Sequence, residues 1–201
     1  MNKFAVKTGG ALAVLLSLTG TAKAVYVVDT GRPADMTVGS FAASIGSTPG
    51  GTISSAGVFS ISSLTTISEI QGFMQVGGAG TLAVSLHAGS PAGPLLFSAH
   101  RAVVTSPSYP FEWVGISGLN WTVTAGTYAV TFGSPDGFMA SMPWGAPTPL
   151  GEEWQGFNGN WSRFDQMNLG VRVSAVPEVA PHALLCGGLG LMFAMRIRRK
   201  V

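Results

Sequence analysis

The sequence predicts an all-β protein, a β-sandwich of jelly-roll type, with a short C-terminal membrane helix. Three observations carry that prediction. Large apolar residues alternate with small or polar ones over several stretches between Val25 and Ala175, where no sustained 3.6-residue period runs. Clusters of Gly, Pro, Ser and Asp punctuate those stretches. Only 10% of the residues are charged while glycine numbers 28, a composition suited to turns and small side chains rather than charged helical faces. At 201 residues the chain is sized for one domain with its own core.

The first element, Met1 to Ala24, reads as a secretory signal peptide. Lys3 and Lys7 form a positive n-region, residues 11–18 an apolar h-region, and Ala22-Lys23-Ala24 a small-x-small cleavage site. The apolar run is too short for the roughly 20 residues that span a bilayer. Cleavage after Ala24 by signal peptidase, following export through the Sec machinery, is expected to start the mature chain at Val25.

The body, residues 25–175, follows as strands. Leu82, Val84 and Leu86 share one face of a strand, with Ala83, Ser85 and His87 on the other. Tyr128, Val130 and Phe132 alternate with Thr127, Ala129 and Thr131, and Leu169, Val171 and Val173 with Gly170, Arg172 and Ser174. Further strands are expected over residues 26–28, 57–61, 67–76, 95–104, 111–116 and 121–123. The stretch 31–51, poor in large apolar residues, is read as loops and an edge strand. Residues 138–166 are read as a long loop. No internal repeat emerges.

Charge separates the body from its ends. The body holds four arginines, no lysine and eight acids, a balance of −4, although the whole chain carries +2. A surface without a basic stripe does not neutralise a run of phosphates, so nucleic acid is not an expected partner. The lone Cys186 lies in the C-terminal apolar run, which leaves the body without a disulfide framework or a thiolate metal site.

The last element, residues 176–201, has three parts: Val176-Pro177-Glu178-Val179-Ala180-Pro181, an apolar run over residues 183–195, and a terminus carrying Arg196, Arg198, Arg199 and Lys200. The thirteen apolar residues reach about 20 Å as a helix, short of the roughly 30 Å of hydrocarbon. The cations are expected to stay cytoplasmic and Glu178 at the outer interface. This layout resembles the PEP-CTERM sorting signal, with Val179 standing where that motif has its second proline. The resemblance implies an exosortase-type membrane protease as partner, cleavage near Pro177-Glu178, and passage from the inner membrane to the cell surface or the extracellular space. The body is similar to the generic sandwich domains that often precede that signal. The segments carrying this likeness are residues 111–119, the run Trp121-Thr122-Val123-Thr124-Ala125-Gly126-Thr127-Tyr128, and the closing Leu169-Gly170-Val171-Arg172-Val173. It implies a fold and an address rather than a ligand.

Motifs of catalysis are sparse. The chain has no nucleophile elbow, zinc-protease helix, phosphate loop or calcium loop. His87 and His100 on neighbouring strands, near Glu69 or Glu112, would make a base and its orienting partner, or two partly exposed strand histidines. Two histidines and one acid fall short of a zinc site. Residues 138–166 collect Trp144, Trp154, Phe157 and Trp161 among carboxylates and amides. These are the candidate ligand-binding residues, because aromatic faces stack on sugar rings while amides bond their hydroxyls. The same rings would equally serve to close one end of a core. Asn120 and Asn160 each open an Asn-x-Thr or Asn-x-Ser acceptor pattern.

The expectation is therefore an exported, non-enzymatic surface or extracellular-matrix protein without a cofactor. The alternatives are a carbohydrate-binding module for exopolysaccharide and a secreted hydrolase.

Overall fold

The computed structural model describes residues 25–34, 42–106, 108 and 110–176. The expected leader and the C-terminal membrane helix lie outside them. Twelve strands occupy the described residues: β1 (Val25–Asp29), β2 (Ala42–Thr48), β3 (Gly51–Ile61), β4 (Thr65–Gly78), β5 (Gly80–Ala88), β6 (Leu95–Val103), β7 (Phe111–Val123), β8 (Gly126–Gly133), β9 (Met139–Pro143), β10 (Glu152–Phe157), β11 (Asn160–Phe164) and β12 (Val171–Ala175). Among the described residues there is no helix, and so none long and apolar enough to cross a membrane. The described residues are all-β, as their alternation predicts.

Every strand pairing is antiparallel, and the pairings join into one continuous sheet. Its order is β1-β12-β4-β9-β2-β3-β8-β5-β6, with β7 added to β4, β10 to β3 and β11 to β10. β4 organises one half. Its Gly72 pairs with Val114 of β7 on one edge and Val171 of β12 on the other, and β9 takes over the second edge from Gln75 onward. β3 organises the other half, with β8 along one edge and β10 along the other.

The two halves cover one core. Ile67, Ile70 and Met74 of β4 and Val171 and Val173 of β12 join the same buried cluster as Leu82, Leu86, Val130 and Phe132 of β5 and β8. The sheet therefore folds back over itself. A Cβ placed at Gly72 of β4 would stand 3.2 Å from the ring of Phe132, though β4 and β8 are not paired. Burying a ring such as Phe132 completely contributes on the order of 1.5–3 kcal/mol.

Three expectations are corrected. Ala42–Thr48 is no edge strand: β2 lies between β9 and β3 and connects the two halves. Small side chains hide it from a hydrophobicity pattern, and its backbone pairing places it. Residues 111–116 and 121–123 belong to the single strand β7, which bulges between Ser117 and Trp121 opposite Glu69 and Ile67. Gly118 adopts a φ of 73° there, which a residue with a Cβ takes up only at a cost. Residues 138–166 are not one loop, since they form β9, β10 and β11.

Local bonds fix the corners. The Tyr128 hydroxyl donates to the Thr124 carbonyl at 2.8 Å, four residues back, and so anchors the Ala-Gly-Thr-Tyr turn into β8. Thr30, 1% exposed, accepts from the Val171 amide at 2.7 Å and donates to the Leu169 carbonyl at 2.8 Å, joining the exit of β1 to β12.

Candidate functional site

Three of the four aromatic residues singled out from the sequence, Trp154, Phe157 and Trp161, lie on the β10–β11 hairpin, although not as one cluster. Asn158 and Gly159 form its turn, with φ values of 51° and 78°. Two positive values are the signature of a two-residue type I′ turn, and Asn-Gly is the sequence that favours it. That dipeptide is the sequence signal for both strands.

Strand alternation divides the hairpin into two faces. On one lie Glu152, Trp154 and Gly156 of β10 with Trp161 and Arg163 of β11, since Trp154 pairs with Arg163 and Gly156 with Trp161. The Trp161 ring covers Gly156, where a Cβ would stand 2.9 Å from Cε3. Glu152 is shared by two donors: Trp154 Nε1 donates to one oxygen at 3.2 Å, and Arg163 pairs with the other at 2.7 Å. Arg163 also reaches Asp165 at 3.2 Å. The Arg163 side chain is half exposed, so these ion pairs position the tryptophan face and add about 0–1 kcal/mol each.

The opposite face carries Glu153, Gln155 and Phe157 of β10 with Asn160, Ser162 and Phe164 of β11. It continues the core-facing side of β3, because Ile53 pairs with Phe157 and Gly57 with Glu153. Glu153, 4% exposed, turns inward and accepts from the amides of Asn168 at 2.5 Å and Leu169 at 2.6 Å. Burial pushes its carboxyl above the ordinary glutamate range, and those backbone donors pull against the shift. Beyond Glu153 this face opens into a depression of about 260 Å³. Ile53, Phe157 and Phe164 form its apolar part, and Gln155, Asn160 and Ser162 its polar part.

The four candidate residues are thus dispersed. Trp154 and Trp161 share one face, Phe157 stands on the other, and Trp144 follows β9 and packs half-buried against the core. His87 and His100 do not meet. His100 pairs with Ala83, four residues from His87 on the same strand, a separation of roughly 13 Å. His87 Nδ1 lies 3.0 Å from the Gly93 carbonyl. Among the described residues no group of three His, Cys, Asp or Glu side chains is placed to hold a metal ion.

Of the sorting residues, Val176 is exposed at the end of β12, and its amide donates to the Thr66 carbonyl at 2.9 Å. Ala22, Ala24, Pro177, Glu178, Arg196, Arg198, Arg199 and Lys200 lie outside the described residues.

A second aromatic grouping, not anticipated from the sequence, covers the outer side of β1, β12, β4 and β7. The Arg172 guanidinium lies 4.0 Å from the Trp113 ring centroid and 5.3 Å from that of Tyr26. Trp113 packs on Phe73 at 5.3 Å, and Arg32 lies 5.0 Å from the Phe73 centroid. These rings face one another and the guanidinium groups, an arrangement that clamps strands together.

No family model matches the chain, and no curated protein or solved structure matches it.

Proposed function

We propose that the chain is an exported, non-enzymatic cell-surface or extracellular-matrix protein, its body a sandwich of jelly-roll type carried between two address signals. The observation that carries this reading is the placement of motifs against strands. Val25, the residue directly after Ala22-Lys23-Ala24, is already paired in β1, and β12 stops at Ala175, directly before Val176-Pro177-Glu178. A leader that ends before paired Val25 and a sorting signal that follows β12 can be removed while the pairs from Val25 to Ala175 stay in place. The back-folded halves of the sheet support the jelly-roll type.

On this reading the Sec machinery exports the chain and signal peptidase cuts before Val25. The tail then holds the body at the inner membrane, with Arg196, Arg198, Arg199 and Lys200 cytoplasmic. An exosortase-type protease acts near Pro177-Glu178 and passes the body to the surface or the medium. The test is fractionation in an exosortase-bearing host, with N-terminal sequencing of the exported product. The mature chain should begin at Val25. Exchanging the four terminal cations for serine should release uncleaved protein into the medium, and Glu178→Ala should accumulate full-length protein in membranes. Retention of Met1 on exported protein, or normal processing of Glu178→Ala, would count against the reading.

A second reading, a carbohydrate-binding module for exopolysaccharide, is favoured by the β10–β11 hairpin, which displays aromatic side chains on both faces next to amides and carboxylates. Retention of the protein on immobilised polysaccharide tests it.

A further inference from the structure

The two faces of the hairpin differ in chemistry, and only one presents no charged side chain to solvent. Glu152, Arg163 and Asp165 interact around the tryptophan face. No charged side chain lines the depression on the reverse face. Its nearest carboxylate, Glu153, is turned inward onto the amides of Asn168 and Leu169.

From this we infer a binding site for a neutral pyranose unit of a polysaccharide, with Phe157 and Phe164 as stacking rings and Gln155, Asn160 and Ser162 as hydrogen-bonding groups. The inference rests on the carbohydrate-binding reading and assigns it a face and a ligand class.

Register makes the arrangement suitable. Phe157 lies directly across from Asn160, and Gln155 directly across from Ser162, so ring and amide stand side by side. A pyranose asks for that combination, since it offers an apolar C–H face to a ring and hydroxyls at its edge to amides. Phe157 is 51% exposed and Phe164 39%, so both rings are open to solvent. Among the described residues the Asn160 and Ser162 side chains make no hydrogen bond, which leaves their donors and acceptors for a ligand. Gln155 Nε2 donates weakly to the Ser44 carbonyl at 3.4 Å, which orients the amide. At about 260 Å³ the depression is smaller than the roughly 300–1,000 Å³ of pockets for drug-sized ligands, and its open form suits one or two units of a chain running past it. A uronate or sulfate would find no cation here, because Arg163 belongs to the other face.

The test uses the full chain in mild detergent, with cellohexaose, dextran and galactomannan as neutral probes and oligogalacturonate as the acidic one. Wild type should bind at least one neutral probe and not the acidic one. Phe157→Ala, Phe157→Leu and Asn160→Ala should each weaken binding about fivefold or more. Trp154→Ala, on the reverse face, should bind like wild type. Phe157→Leu keeps an apolar side chain without the ring, so its loss of binding with an unchanged melting temperature reports stacking rather than folding. Loss confined to Trp154→Ala would overturn the assignment to this face and leave the carbohydrate-binding reading standing. Preference for oligogalacturonate would overturn the neutral class. Failure of wild type to bind any of the four probes would overturn both.

Discussion

Phe97 and Trp121 stack with centroids 5.4 Å apart and ring planes 11° apart, although their strands, β6 and β7, share no ladder hydrogen bond. β6 ends one branch of the pairing and β7 ends another. The two rings thus close by packing a side of the protein that backbone bonding leaves open. Trp121 is 8% exposed, so Trp121→Ala should cost about 3–5 kcal/mol in urea denaturation. A double-mutant cycle with Phe97→Ala should return a coupling of about 0.5–1.5 kcal/mol. Additive single effects would mean that the rings touch without depending on each other.

Glu153 gives the stability a pH dependence of defined sign. Its native carboxyl keeps a proton to higher pH than the unfolded one, because burial outweighs the backbone donors. Between the two values folding takes up protons, so its contribution to stability falls as pH rises above about 4.3. Glu153→Gln cannot accept from both amides and should cost about 1–3 kcal/mol at low pH. That deficit should narrow as pH is raised. A deficit that widens in urea titrations at increasing pH would reverse the sign argued here.

Asp136 acts in the opposite sense. The Thr81 hydroxyl donates to Oδ2 at 2.6 Å and the Thr81 amide to Oδ1 at 2.6 Å, and together they hold the carboxyl below the usual aspartate range. Its stabilisation is present above the unfolded value and lost as pH falls. Asp136→Asn should therefore flatten the acid limb of the stability profile, its deficit shrinking as pH falls through the native value of Asp136. An acid limb as steep as that of wild type would show that Asp136 does not set it.

Arg172 holds the first strand. Its guanidinium sits between Tyr26 and Trp113 while Nε donates to Asp29 at 3.1 Å, which links β1 and β7 to β12. Arg172→Lys keeps the charge but loses the plane that stacks on the rings. It should cost about 0.5–2 kcal/mol, and the amides of β1 should exchange faster than those of β5. Equal exchange in the two strands would show that the clamp is not what fixes β1.

The sequence disclosed the strands whose two faces differ most. β5, β8 and β12 alternate large apolar with small or polar residues, and each delivers its apolar set to the core. In β2 Ile45 is the only large apolar side chain, so the strand's central position comes from its partners rather than from its composition. β7 runs on through Gly118, since a glycine marks a bulge within a strand as readily as a turn between two. At the hairpin, residue types were legible and faces were not. Trp154 and Phe157 are three apart, which places them on opposite sides of a strand, and that conclusion requires knowing that a strand is there. The Arg172 clamp depends on three separate strands meeting, which spacing along one chain does not encode.

Val25 pairs with Ala175, so β1 enters and β12 leaves at the same end of an antiparallel pair. This register determines how the body responds to tension. Force applied between those two residues loads the bonds of β1 and β12 one after another from that end, as a zipper opens, instead of shearing them all together. The few pairs of this ladder, from Val25–Ala175 to Asp29–Arg172, would then yield in turn, with the Arg172 clamp and then the Thr30 bonds to Val171 and Leu169 as the last to part. A body held by one end alone carries no such load, whereas one held at both would begin to open at the point of attachment.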